Sequence, residues 1–187
     1  LQNSSIVLNN YITRKEYLKM QYEIIEFGGW GNCIRISNEN IELIVATEIG
    51  PRILRFGFIG GQNFFYLSRD DSGKTGGREW RIYGGHRLWL APEAIPFSYY
   101  PDNEPVPFFI KDNHILLDQP AEKTTGTVKQ MEISLSPGKN EVTVLHRIIN
   151  RSTESIELSP WALSAMAPSG RAIIPQEPYG AGNDYLL

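Results

Sequence analysis

Met131-Glu132-Ile133-Ser134-Leu135-Ser136-Pro137-Gly138-Lys139-Asn140-Glu141-Val142-Thr143-Val144-Leu145-His146-Arg147-Ile148-Ile149 alternates its side chains on either side of a Pro-Gly turn. Successive residues of an extended chain point to opposite faces, so a period of two marks paired antiparallel strands rather than a helix. Met131, Ile133 and Leu135 make one face against Glu132 and Ser134. In the second strand Val142, Val144, His146 and Ile148 oppose Thr143, Leu145, Arg147 and Ile149. Apolar residues on both of its faces predict a central place in the sheet.

The same pattern predicts strands near residues 22–27, 31–37, 41–46, 52–59, 63–67, 114–118, 127–136, 140–149 and 154–165. Asn38-Glu39-Asn40 and Gly60-Gly61-Gln62 fall where hairpins must turn, since Asn and Gly tolerate left-handed backbone. Only Thr13 to Met20 reads as a short helix. The proline-spaced run Pro92 to Pro107, holding Phe97, Tyr99 and Tyr100, predicts a long irregular loop of the kind that carries function. An all-β, two-layer antiparallel sandwich in one domain over residues 1–187 is therefore expected.

Composition narrows the function. With 18 basic and 21 acidic residues the formal net charge is -3, which gives no electrostatic reason to expect nucleic acid or an anionic membrane surface as partner. No apolar run approaches the roughly 18 residues that span a bilayer. Cys33 is the single cysteine and reads as a small buried thiol. His86, His114 and His146 are scattered, so neither a metal nor another cofactor is expected.

Tyr83-Gly84-Gly85-His86-Arg87-Leu88-Trp89-Leu90-Ala91-Pro92-Glu93 is the richest chemical segment. Paired glycines permit positive φ and close backbone approach. A strand leaving them puts His86, Leu88 and Leu90 on one face and Arg87 and Trp89 on the other. An exposed Arg beside a Trp offers a forked donor and a flat apolar plate, which suits a sugar. Trp89 in the core with Arg87 capping its edge explains the same residues equally well. His146, set among Val142, Val144 and Ile148, reads first as a hydrogen-bonded core residue.

Four motifs carry a family likeness: Gly50-Pro51-Arg52-Ile53, Gly60-Gly61-Gln62-Asn63, Gly85-His86-Arg87-Leu88-Trp89 and Asn150-Arg151-Ser152. In this order they resemble the galactose mutarotase-like (aldose 1-epimerase-like) superfamily, over roughly residues 20 to 180. The resemblance implies a β-supersandwich with a carbohydrate site on a concave face into which Arg87 points. It implies sugar contacts from Arg52, Trp80, Arg81, Arg87, Trp89, His146 and Trp161. Epimerisation at the anomeric carbon needs a general acid and a general base. Trp161, in Glu157-Leu158-Ser159-Pro160-Trp161, stands where the family carries its acidic His. His86 is then the replacement acid, Glu93 the candidate base, and Glu177 a further carboxylate for the site.

The family's domains are usually longer, so the resemblance also implies that residues beyond Leu187, another copy of this chain or a different second chain complete the sheets. Three functions follow as alternatives: an aldose 1-epimerase-like isomerase, a non-catalytic sugar-binding or structural module, and a lyase or hydrolase whose Arg52, Arg81 and Arg87 read uronate carboxylates.

Overall fold

A computed structural model of the protein describes residues 20–111 and 113–175. Ten strands are present: β1 Gln21–Phe27, β2 Trp30–Ser37, β3 Ile41–Ala46, β4 Arg52–Phe58, β5 His86–Ala91, β6 Phe108–Lys111, β7 His114–Asp118, β8 Thr127–Leu135, β9 Val142–Asn150 and β10 Ser159–Ser164. They form a six-stranded sheet in the order β1-β2-β3-β4-β5-β10 and a four-stranded sheet in the order β6-β7-β8-β9. Every pairing within them is antiparallel. No helix occurs among the described residues, which form an all-β sandwich of two antiparallel sheets. The helix predicted over Thr13 to Met20 lies outside the described residues except for Met20, which is buried in the core.

The alternation read from the sequence builds the core. Ile34, Ile36, Leu43, Val45 and Ile53 of the larger sheet meet Ile115, Leu117, Met131, Ile133 and Leu135 of the smaller one. Removing each such side chain from water stabilises the fold by roughly 1.5–3 kcal/mol before entropy is counted. A second apolar cluster, with Trp30, Cys33, Ile44, Leu54 and Tyr83, covers the outer face of the larger sheet. All six residues of β3 are buried, because it is packed on both faces. Cys33 is fully buried, and burial pushes its thiol up to about 11, which leaves it unreactive.

Three strand predictions change. Residues 63–67 make only the isolated bridges Phe65↔Met166 and Leu67↔Gly84, since Asn63 spends its side chain bonding Phe56 N, Phe65 N and Leu54 O instead of continuing a ladder. The strand predicted over 154–165 shortens to β10, because Asn150, Ser152 and Glu154 bond among themselves in a turn. Strand β9 is an edge of its sheet, not a central strand. Among the described residues no layer covers its outer face, where Leu145 is exposed, so apolar character on both faces did not signal burial on both.

The double glycine does what its sequence suggests. Gly84 and Gly85 have φ of 90° and 72°. Gly85 N donates to Tyr66 O (2.9 Å), and Ala165 N donates to Gly85 O (2.9 Å), so the hinge is threaded between neighbouring backbones. A Cβ on Gly84 would overlap the Tyr66 carbonyl oxygen, and one on Gly85 the Ile53 carbonyl oxygen. Gly85→Ala is expected to lower unfolding free energy by at least about 2 kcal/mol, measured by urea titration. A loss under about 0.5 kcal/mol would contradict this packing.

Candidate functional site

Strand register divides the residues singled out above between two faces of the larger sheet. Arg52 pairs with Arg87 across β4 and β5, and Trp161 pairs with Trp89 across β10 and β5. Directly opposed residues share a face, so these four lie together on the outer side of that sheet. Ile53 pairs with His86 and belongs to the core between the sheets, which turns His86 inward, away from Arg87.

Aromatic rings gather on the outer face. Trp89 lies 5.8 Å from Trp80, 5.3 Å from Tyr99 and 5.6 Å from Trp161 between ring centroids, all tilted or edge-on. Trp80 and Tyr99 also meet at 5.6 Å. The Arg87 guanidinium sits 5.1 Å from the Trp89 ring and 6.0 Å from that of Trp80. Such contacts hold a cation over the electron-rich ring face. Glu93 is exposed and accepts a hydrogen bond from Tyr99 Oη, which ties it to the edge of this group.

Charge is buried beneath the rings. Arg52 Nη2 donates to Asp102 Oδ2 at 2.6 Å, and Arg87 Nη2 stands 3.6 Å from the same oxygen. Arg52 also donates to the Gly84 carbonyl. Burial alone would raise the Asp102 pKa, but Arg52 and Arg87 outweigh it and hold the carboxyl below its ordinary range. Burial lowers the Arg87 guanidinium to about 10, with Asp102 acting against that shift. Backbone bonds fix Asp102 in place: Gly50 N donates to Asp102 O (2.9 Å) and Val106 N to Thr47 O (2.8 Å). Its neighbour Asn103 accepts from Tyr83 Oη at 2.9 Å and donates to Glu79 O at 2.8 Å. The proline-spaced loop is thus pinned to the sheet.

Arg87 is only 7% exposed, which corrects the expectation of a guanidinium pointing freely into a concave face. The Trp80 and Trp89 rings flank it, and the half-buried Trp80, Tyr99 and Trp161 meet solvent in its place. Arg87 Nε, Trp80 Nε1 and Trp89 Nε1 donate to no protein group, and Asp102 Oδ1 accepts from none. Arg81 is engaged elsewhere, donating to Gly76 O (2.7 Å) and Tyr83 Oη (3.1 Å). Among the described residues no three His, Cys, Asp or Glu side chains converge as metal ligands do.

His86 and His146 form a separate arrangement between the sheets. Their Nε2 atoms are 2.9 Å apart, and His86 Nδ1 is 2.7 Å from Ser164 Oγ. Two ring nitrogens at that distance share one proton, one donating and the other accepting. Burial, then His146 and Arg52, lowers the His86 pKa to about 4, and burial lowers that of His146. Unfolded histidine protonates near pH 6.5. The unfolded chain therefore takes up protons first as pH falls from about 6.5 toward 4, and stability falls across that window. This pair is expected to make the protein less stable by about 2 kcal/mol at pH 4.5 than at pH 7, after allowance for its partial solvent contact. Urea midpoints across that range check it, and His146→Phe should flatten the slope.

His86 and Glu93 are consequently not an acid and base in one site. They face different sides of the structure, and β5 alone separates them by roughly 17 Å at 3.3 Å per residue. Glu177 lies outside the described residues. Sequence reasoning missed Asp102 and Tyr99 as site residues; only the aromatic, proline-spaced composition of their loop signals them. Compared with known proteins, the chain matches no family model, no curated protein and no solved structure.

Proposed function

We propose that this protein binds carbohydrate on the outer face of its six-stranded sheet, in a sandwich of the galactose mutarotase-like kind. One observation carries the reading: partly exposed Trp80, Tyr99 and Trp161 gather around Trp89 and the buried Arg87 on one face of the sheet, with the Glu93 carboxylate at their edge. An indole face covers the apolar side of a pyranose ring, and a hydroxyl both donates and accepts at the polar groups on its rim. Aromatic plates beside mixed donors and acceptors favour a neutral polyol over an ion.

Binding without epimerisation is the better supported form. The Trp161 indole N–H is far too weak an acid to protonate a ring oxygen, while His86 and Glu93 lie apart. The lyase or hydrolase alternative loses support because Arg52 and Arg81 are already bonded to protein groups. Polarimetry on freshly dissolved α-glucose and α-galactose separates the first two readings. The expected result is an unchanged approach to equilibrium rotation, alongside calorimetric binding that Trp161→Ala weakens. Acceleration of mutarotation would restore the isomerase, and failure of a broad saccharide panel to bind would remove the carbohydrate reading.

A further inference from the structure

The aromatic group borders a cleft of about 980 Å³, whose lining includes Tyr99, Tyr100, Asp102, Gln119 and Ile95. That volume stands at the upper end of small-ligand sites, which span roughly 300–1,000 Å³, and one hexose ring fills a fraction of it. Asp102 and Gln119 are each 6% exposed, and Asp102 Oδ1 and Gln119 Oε1 accept no hydrogen bond. Two buried acceptors along one wall call for a ligand that brings several donors. Arg78 and Lys123 face Glu104 across the lining, and Asp102 is already paired with Arg52 and Arg87, so no strong charge of one sign gathers there. Tyr100 supplies a second aromatic surface beyond Tyr99, its Oη accepting from Lys123 N at 3.3 Å.

Resting on the carbohydrate reading, we infer that the ligand is a neutral oligosaccharide, one unit against the tryptophans and further units along the Tyr99–Tyr100 wall. The chain supplies for this what a monosaccharide site does not need: a second plate, buried acceptors away from the tryptophans, and length.

The test is calorimetry with the full chain and β-1,4-linked gluco, galacto and manno ladders, from monosaccharide to tetrasaccharide, beside the matching uronic acid ladders. Affinity in at least one neutral ladder is expected to rise about tenfold or more from one unit to four, equivalent to about 1.4 kcal/mol. Tyr100→Ala should remove most of that rise and leave monosaccharide affinity unchanged. Ile95 is 84% exposed, so Ile95→Arg narrows the same cleft without disturbing the core and should have the same effect. A neutral ladder that binds with flat affinity overturns the oligosaccharide inference and leaves the carbohydrate reading standing. Tighter binding of a uronic acid ladder overturns the neutrality, and silence in every ladder removes both.

Discussion

Asp102→Asn is expected to cost about 3–5 kcal/mol of folding stability, the usual loss when one partner of a buried ion pair is removed. The substitution keeps shape and deletes charge. It leaves the Arg52 and Arg87 guanidinium groups side by side with no carboxylate between them, and both residues are buried. Adding Arg52→Met should recover part of the loss, because it removes one of the two repelling charges. The double variant is then more stable than the sum of the single effects by about 1 kcal/mol or more. Urea unfolding of the four proteins measures this. A loss below about 1 kcal/mol for Asp102→Asn would show that solvent, not the arginines, sets the state of that carboxylate. Because Asp102 has a lowered pKa when folded, its contribution is present above the ordinary carboxylate range and disappears as pH falls through the folded value.

Trp89→Ala is the second large effect. Trp89 is 8% exposed and touches Trp80, Tyr99, Trp161 and Arg87, so its removal opens a cavity at the centre of the aromatic group. The expected destabilisation is about 3–5 kcal/mol, with sugar binding abolished. Trp89→Phe separates packing from recognition. It keeps an apolar ring beside Trp161 but shortens the plate that positions Trp80, Tyr99 and Trp161, so the fold should persist while sugar affinity falls about tenfold. Unchanged affinity in Trp89→Phe would place the sugar elsewhere.

Much of this arrangement was legible in local pattern. Alternation over residues 131–149 predicts the β8–β9 hairpin, and the register Ile133↔Val144 matches the faces assigned from the sequence. The same rule already set His86 opposite Arg87, and burial of Ile53 between the sheets decides which side is which. What local pattern does not carry is long-range partnership. Asp102 looks like an ordinary loop residue between Pro101 and Asn103, yet two arginines from adjacent strands converge on it fifty and fifteen positions away in sequence. Strand β9 carries apolar residues on both faces, but whether either face is covered depends on elements far along the chain. Arg87 was expected to be free because composition cannot tell an arginine beside a tryptophan from one enclosed by two.

Tryptophan indole resonances give the most direct measurement of the central claim. The chain has four tryptophans. Trp80, Trp89 and Trp161 belong to the proposed sugar surface, whereas Trp30 is 2% exposed and donates its Nε1 to Lys74 O at 3.1 Å. In a proton–nitrogen correlation spectrum, titration with a binding saccharide is expected to shift the Trp80, Trp89 and Trp161 indole signals along one saturable curve while Trp30 stays in place. Indole signals that all remain still at saturating sugar, or a shift confined to Trp30, would contradict a carbohydrate site on the outer face of the larger sheet.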